Sequence, residues 1–185
     1  LYGKTLGVVG FGRVGKLVTE RAKAFGMDIL VCDPAIMEET ARDLGVLLVE
    51  MDDLLAESDF ITLHTALAPA TIGLINAESI ARMKDGAILI NAARGKLIDE
   101  HAVADALRSG KLAAAALDVY STEPPDNGNP LINLTNVIHT PHIGASTHEA
   151  ERDVGIQIVN QVVSALRGTD FTYAVNLPFD VIGDF

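Results

Sequence analysis

The chain has 185 residues, 49% of them hydrophobic and 21% charged, the balance of an ordinary globular protein with a substantial core. Its 25 acidic side chains outweigh 14 basic ones, giving a formal net charge of −11. That excess argues against a nucleic-acid partner, whose phosphates need a basic face, and against an anionic membrane surface. No uninterrupted apolar run approaches the roughly 20 residues of a membrane-spanning helix.

The chain begins at Leu1, without an initiator methionine or a secretory leader, and passes almost at once into the strand-like run KTLGVVG. This predicts a piece of a longer, cytoplasmic protein. The single cysteine, Cys32, has no disulfide partner within the chain, which fits a reducing compartment. It ends the run MDILVC, where a small buried hydrophobe is expected rather than a nucleophile.

Seven apolar runs of strand length follow one another: KTLGVVG, MDILVC, GVLLVE, DFITLH, AILINA, LAAAALDV and NVIHT. Continuous apolar runs of this kind are strands buried on both faces of a parallel sheet. Helical patterns lie between them. Val14, Leu17, Val18, Arg21 and Phe25 follow a helical period that Gly26 closes. Asp99 can cap a second helix that buries Ala102, Val103, Ala106 and Leu107 and stops at Gly110. A third begins near Ser146, where Ser146-Thr147-His148-Glu149 has capping-box form. Val154, Ile158, Val159, Val162, Val163 and Leu166 then line one face as far as Gly168, a length of about 30 Å at roughly 1.5 Å per residue. The alternation predicts an α/β fold with a doubly wound parallel sheet, of Rossmann type. No internal repeat or low-complexity segment interrupts it, and the segment from Glu123 to Pro130 reads as a loop.

The first run ends in Gly10-Phe11-Gly12-Arg13-Val14-Gly15, a GxGxxG motif opening a helix. Such a motif suits a pyrophosphate: the first glycine makes the turn, the second lets backbone approach the phosphates, and the third packs helix on strand. Asp33 follows about 20 residues on, at the end of the second run, where a carboxylate hydrogen-bonds the adenosine ribose. The same carboxylate repels a 2′-phosphate, so NAD is expected in preference to NADP. The alternative for this segment is a glycine-rich turn with an exposed acid. Gly3-Lys4-Thr5 is no P-loop, since it lacks the upstream glycine and precedes the strand.

Three later runs end in polar clusters: Ala92-Ala93-Arg94-Gly95, then Tyr120 to Pro125 with Glu123, then Pro141-His142-Ile143-Gly144-Ala145. Ligands of open α/β sheets bind beyond the carboxyl ends of the strands. An arginine there can grip a substrate carboxylate with two hydrogen bonds, and a histidine can take a hydroxyl proton as hydride leaves carbon. A neighbouring carboxylate stabilises the imidazolium. Taken singly, each has a plainer reading: Arg94 as a helix cap, Glu123 as a solvated loop charge, His142 as a structural histidine. The pattern calls for no metal ligand set.

The segments GKTLGVVGFGRVG, LHTALAPATIGLI, LINAARGKLIDE, AALDVYSTEPP and NVIHTPHIGASTHEA together resemble the nucleotide-binding domain of the D-isomer-specific 2-hydroxyacid dehydrogenases, from Leu1 to about Pro178. The resemblance implies that Arg94, Glu123 and His142 are the catalytic arginine, glutamate and histidine. It implies that Gly10, Gly12, Arg13, Val14 and Gly15 hold the pyrophosphate and Asp33 the ribose. Thr65, Ala92, Ala93, Arg94, Asp118, His142, Gly144 and Ala145 then lie along the nicotinamide half of NAD. One departure is Ala66, where the family usually has proline, which bears on the rigidity of the loop at Thr65. His64 is read as a packing or hydrogen-bonding residue at a strand end.

Within the family, GASTHEA, the helix after it and Ala174-Val175-Asn176-Leu177-Pro178 are most similar to the branch acting on a phosphorylated 2-hydroxy acid. Alternatives are another 2-hydroxyacid dehydrogenase, such as a glyoxylate or hydroxypyruvate reductase, or a dinucleotide-sensing protein like the corepressor branch of the family. The family resemblance further implies that residues 1–185 are the nucleotide domain of a two-domain enzyme. Residues 169–185 then begin the return to a substrate domain, of which about a hundred residues precede Leu1. It also implies a small-molecule substrate and a homodimer.

Overall fold

In a computed structural model of the chain, residues 1–172 and 174 are described. The chain divides into two compact units, Leu1–His142 and Ile143–Phe185.

The first unit carries the sheet. All seven runs form strands: β1 (Thr5–Val9), β2 (Asp28–Cys32), β3 (Leu47–Leu48), β4 (Phe60–Leu63), β5 (Ala87–Asn91), β6 (Leu112–Leu117) and β7 (Val137–His139). They pair in the order β3-β2-β1-β4-β5-β6-β7, and every pairing is parallel. This is the doubly wound sheet expected from the sequence, with its change of winding direction at β1. Parallel neighbours need crossovers, and helices supply them: α1 (Arg13–Ala24), α2 (Glu38–Asp43), α3 (Met51–Glu57), α4 (Ala77–Arg82) and α5 (Glu100–Ser109). Helix cover on both faces produces two apolar clusters. One gathers Leu54, Leu55, Ile61, Leu63, Leu89, Val103, Leu107 and Leu117, and the other gathers Leu6, Val8, Phe11, Ala22, Ile29 and Val31.

Helix α1 departs from the apolar period in the sequence. Its buried residues are Gly15, Thr19 and Ala22, while Val14, Leu17 and Phe25 are 59%, 51% and 63% exposed. The cause is close approach: a Cβ on Gly15 would overlap the Gly10 carbonyl. With helix and strand that near, small side chains fill the contact; of the expected apolar residues Val18 packs against the core, and Val14, Leu17 and Phe25 point outward.

Helix α5 follows its pattern more nearly. The Asp99 carboxylate accepts the His101 and Ala102 N–H groups at 3.0 and 3.1 Å, Val103, Ala104, Ala106 and Leu107 are buried, and Gly110 closes the helix. Ala102 is only partly buried.

The second unit contains α6 (His148–Leu166). Its cap is Thr147, whose hydroxyl accepts the Ala150 N–H at 3.1 Å. Ser146, expected as the cap, instead donates its N–H to the Ile143 carbonyl in the preceding turn. No side chain of α6 is buried. Most of the expected return segment at 169–185 lies outside the described residues. Among the described residues no helix is long and apolar enough to cross a membrane.

Replacing Asp99 with alanine strands two N–H groups at the start of α5 and should lower stability by about 1 kcal/mol. Urea unfolding of the chain measures this, and an unchanged midpoint would show that the cap contributes nothing.

Candidate active site

Parallel pairing places one residue from each strand end in a single row. Val9 stands beside Cys32 and Leu63, Leu63 beside Asn91, Asn91 beside Leu117, and Leu117 beside His139. The next residues are therefore Gly10, Asp33, His64, Ala92, Asp118 and Thr140, all at the carboxyl edge of the sheet. Thr65, Arg94 and His142 follow within one or two positions. Gly144 and Ala145 belong to the second unit.

At β1 the glycine loop is clamped from two sides. The Asp33 carboxylate accepts the Phe11 N–H at 2.6 Å and the Ala35 N–H at 2.8 Å. Gly10 lies so close to β4 that a Cβ there would sit 2.6 Å from the Thr65 nitrogen. The loop at Thr65 does not need the missing proline: the Thr71 hydroxyl donates to the Ala66 carbonyl at 2.8 Å and accepts the Ala68 N–H at 2.8 Å. His64 shares a 2.9 Å hydrogen bond with the Thr62 hydroxyl, and burial pushes its pKa down. It is a strand-end packing residue, as the sequence suggested.

These groups fit a dinucleotide. A Cβ on Gly12 would meet nothing within 4 Å, so open space lies at the N-terminus of α1, where the first helical N–H groups lack intrahelical partners. Exposed Arg13 and Val14 begin that helix. Beyond β2, Asp33 lies in a hollow whose walls are apolar at Pro34, Ile36, Leu48 and Val49 and acidic at Glu38, Glu50 and Asp53. Two of the carboxylate's roughly four lone-pair directions serve backbone N–H groups, leaving capacity for ribose hydroxyls. Cys32 borders the same hollow, and its thiol pKa is raised by burial and then by Glu50 and Asp33, which keeps it an unreactive thiol.

The other half of the edge gathers ionisable groups. Asn91, fully buried at the end of β5, accepts the Ala93 N–H at 3.1 Å and donates to the Arg94 carbonyl at 3.0 Å, fixing the turn that carries Arg94. Ala92 and Arg94 are exposed, and an Arg94 guanidinium nitrogen donates to the Ala93 carbonyl at 2.6 Å. Gly95 presses this turn against the next loop: a Cβ there would overlap the Tyr120 carbonyl carbon and oxygen. Asp118 is buried and accepts the Thr140 hydroxyl at 2.5 Å.

Glu123 and His142 meet. One carboxylate oxygen of Glu123 accepts the Tyr120 N–H at 3.0 Å, and the other lies 2.7 Å from His142 Nδ1. His142 is about half exposed and takes a left-handed backbone, φ 55°, a conformation uncommon outside glycine that aims the ring at the glutamate. The His142 hydrogen bond first, then the Tyr120 N–H, hold the Glu123 carboxyl below its usual range. An ionised carboxylate has no proton to give, so Nδ1 carries the hydrogen and the neutral ring's basic atom is Nε2. The Arg94 guanidinium bonds the Ala93 carbonyl instead of this pair; its turn meets the pair's loop through Gly95 and Tyr120. Asn91, Gly95, Tyr120 and Thr140 were not singled out from the sequence. Only Asn91, a lone polar residue ending an apolar strand, left a signal there.

Residues 1–144 match the family model of the D-isomer specific 2-hydroxyacid dehydrogenase NAD binding domain. The chain belongs to this family. Its dinucleotide is accordingly NAD. Over all 185 residues it is 50% identical to a D-3-phosphoglycerate dehydrogenase of Archaeoglobus fulgidus, of which it spans 35%. Over 168 residues, 90% of the chain and 54% of the relative, it is 52% identical to a hydroxypyruvate reductase of Thermotoga maritima. Among solved structures, a glyoxylate reductase from Paecilomyes thermophila superposes with a TM-score of 0.83 at 41% identity, covering 89% of this chain and 49% of that one. The chain thus spans about a third of the phosphoglycerate dehydrogenase and about half of the other two.

The glycine loop gives two contrasting expectations. Gly12→Ala leaves stability unchanged but weakens NADH binding by about tenfold or more, because the methyl enters the phosphate space. Gly15→Ala costs roughly 1–3 kcal/mol of stability through overpacking. Thermal unfolding with an NADH titration tests both, and a destabilised Gly12→Ala that binds NADH normally would reverse the assignment. Asp33 should make NADH bind at least about tenfold more tightly than NADPH. Equal affinities in a fluorescence titration count against that role.

Proposed function

We propose that this chain is the NAD-binding and catalytic part of a D-3-phosphoglycerate dehydrogenase, oxidising 3-phosphoglycerate to 3-phosphohydroxypyruvate at the entry to serine synthesis. The observation that carries the reading is the 2.7 Å contact of Glu123 with His142 Nδ1 at the carboxyl edge of a dinucleotide-binding sheet. Arg94 holds the substrate carboxylate by a two-pronged hydrogen bond. NAD supplies the hydride acceptor. His142 Nε2 takes the hydroxyl proton as the carbon–hydrogen bond breaks, and Glu123 fixes the Nδ1–H tautomer and balances the imidazolium that results. Asp118, buried and bonded to the Thr140 hydroxyl, accepts a hydrogen bond from the nicotinamide carboxamide in this reading.

The phosphorylated substrate is supported by the 50% identity to the Archaeoglobus protein across the whole chain and by the GASTHEA segment. A second reading, hydroxypyruvate reduction, is favoured by the 52% identity to the Thermotoga protein and uses the same residues in the reverse direction. The dinucleotide-sensing alternative keeps the NAD site and lacks turnover. The complete protein is cytoplasmic and a homodimer in this reading, with Leu17 and Phe25 among the exposed apolar side chains available for pairing. Residues 169–185 begin the return to its substrate domain. The chain alone binds NAD(H) and turns over slowly or not at all.

The test is NADH formation by the full-length protein with D-3-phosphoglycerate, D-glycerate and D-lactate, and NADH consumption with hydroxypyruvate and glyoxylate. Preference for the phosphorylated acid is expected, with His142→Ala lowering kcat by about 10²–10⁴-fold. Preference for an unphosphorylated acid moves the reading to a sister enzyme. Inactivity with every acid favours the sensor.

A further inference from the structure

The loop from Tyr120 to Pro130 contains no helix or strand, yet it presents Glu123 to His142 at hydrogen-bond distance. A residue on a different element holds it. Glu100 lies in the first turn of α5, and its carboxylate reaches across to this loop three times. One oxygen accepts the Ser121 N–H at 2.8 Å, and the other accepts the Ser121 hydroxyl at 2.8 Å and the Asn129 side-chain amide at 2.9 Å. The anchored residues flank Glu123, two positions before it and six after, so the loop is fixed at both shoulders. We propose that Glu100 is a positioning residue for the Glu123–His142 pair, tying the glutamate's loop to the body of the sheet.

The plain role of an acid in a helix's first turn is to favour the positive end of the helix dipole, which a solvated side chain does equally well. Glu100 is instead half-buried with both oxygens occupied by loop donors, and the cap itself is Asp99. Its anchorage is firm, since Val103, Ala106 and Leu107 of the same helix are buried in the core. The start of the loop has a second fixture, at Tyr120. The Tyr120 hydroxyl lies 2.6 Å from His139 Nδ1 and shares a hydrogen bond with it; burial raises the tyrosine pKa and lowers that of His139, which favours the neutral form of both. Between these fixtures the Tyr120 N–H orients one oxygen of Glu123 and leaves the other for His142. Precise orientation of an acid–base pair strongly affects rate, because misplacement by about 1 Å can cost 10²-fold.

The inference rests on the dehydrogenase reading for its kinetic consequence, so the test includes an arm that needs no turnover. In the full-length enzyme, Glu100→Ala should lower kcat about tenfold while the substrate KM and the NADH affinity stay within about twofold, since Arg94 and the glycine loop are untouched. In a Glu123→Gln background the same substitution should cost less than about twofold, because its effect passes through Glu123. The paired change Ser121→Ala with Asn129→Ala removes two of the three tether bonds from the opposite side, leaving the Ser121 N–H bond, and should reproduce part of the loss; it also serves if Glu100→Ala does not fold. An undiminished kcat, or an equal loss in the Glu123→Gln background, overturns the proposal. The arm independent of turnover follows the Glu123 carboxyl carbon by NMR during acid titration. Its midpoint lies below the usual glutamate value and should move upward when the tether is cut, even if the protein oxidises no 2-hydroxy acid at all. An unmoved midpoint in both tether variants also overturns the proposal.

Discussion

The register of an all-parallel sheet governs this molecule. Because β2, β1, β4, β5, β6 and β7 run the same way, the chain's polarity becomes polarity in space, and one edge collects every carboxyl end. Strand interiors covered by helices on both faces must be apolar. The first position free to carry a polar or special residue is therefore the one after each strand, and the row from Val9 to His139 puts those positions side by side. Residues more than a hundred positions apart, such as Gly10 and His142, reach the same edge without any fold feature devoted to bringing them there.

What the register leaves undone is completed by side chains that bond to backbone. Asp33 holds the Phe11 N–H, Asn91 holds the Ala93 N–H and the Arg94 carbonyl, and Thr71 holds the Ala66 carbonyl. These bonds satisfy backbone groups that lie beyond the strand ladders, so the loops can take shapes no regular element allows. Gly95 shows how close the packing is: the turn of Arg94 lies directly on the Tyr120 carbonyl, and nothing larger than hydrogen fits between them. The arginine and the glutamate therefore depend on each other's loops even though their side chains do not bond.

Legibility in the sequence followed the range of the interaction. The seven strands were readable because burial on both faces leaves continuous apolar runs, and α5 was readable because its cap and its stop lie within the local chain. The helices α2, α3 and α4, at six or seven residues, are too short to show a period. Helix α1 showed a period of which only Val18 packs on the core, since the approach of Gly15 to Gly10 reverses the usual preference for large apolar contacts. At the site, Arg94, Glu123 and His142 stood out as ionisable residues after apolar strands. Glu100 did not, because its partners are 21 and 29 residues away and its local context is that of any helix-starting acid.

Three histidines stand at or just beyond strand ends on this edge, and their surroundings separate them. His64 and His139 are desolvated, which favours the neutral ring, and they hydrogen-bond to hydroxyl groups, those of Thr62 and Tyr120. A hydroxyl orients an imidazole but offers no charge to balance one that has gained a proton. His142 is the more exposed, and it faces a carboxylate that stays ionised below the usual range because His142 and the Tyr120 N–H both favour its charged form. A base that accepts a proton during hydride transfer must be stable afterwards as a cation. Of the three, only His142 has a counter-charge in contact, and the contact that provides it also leaves Nε2 as the atom that can accept.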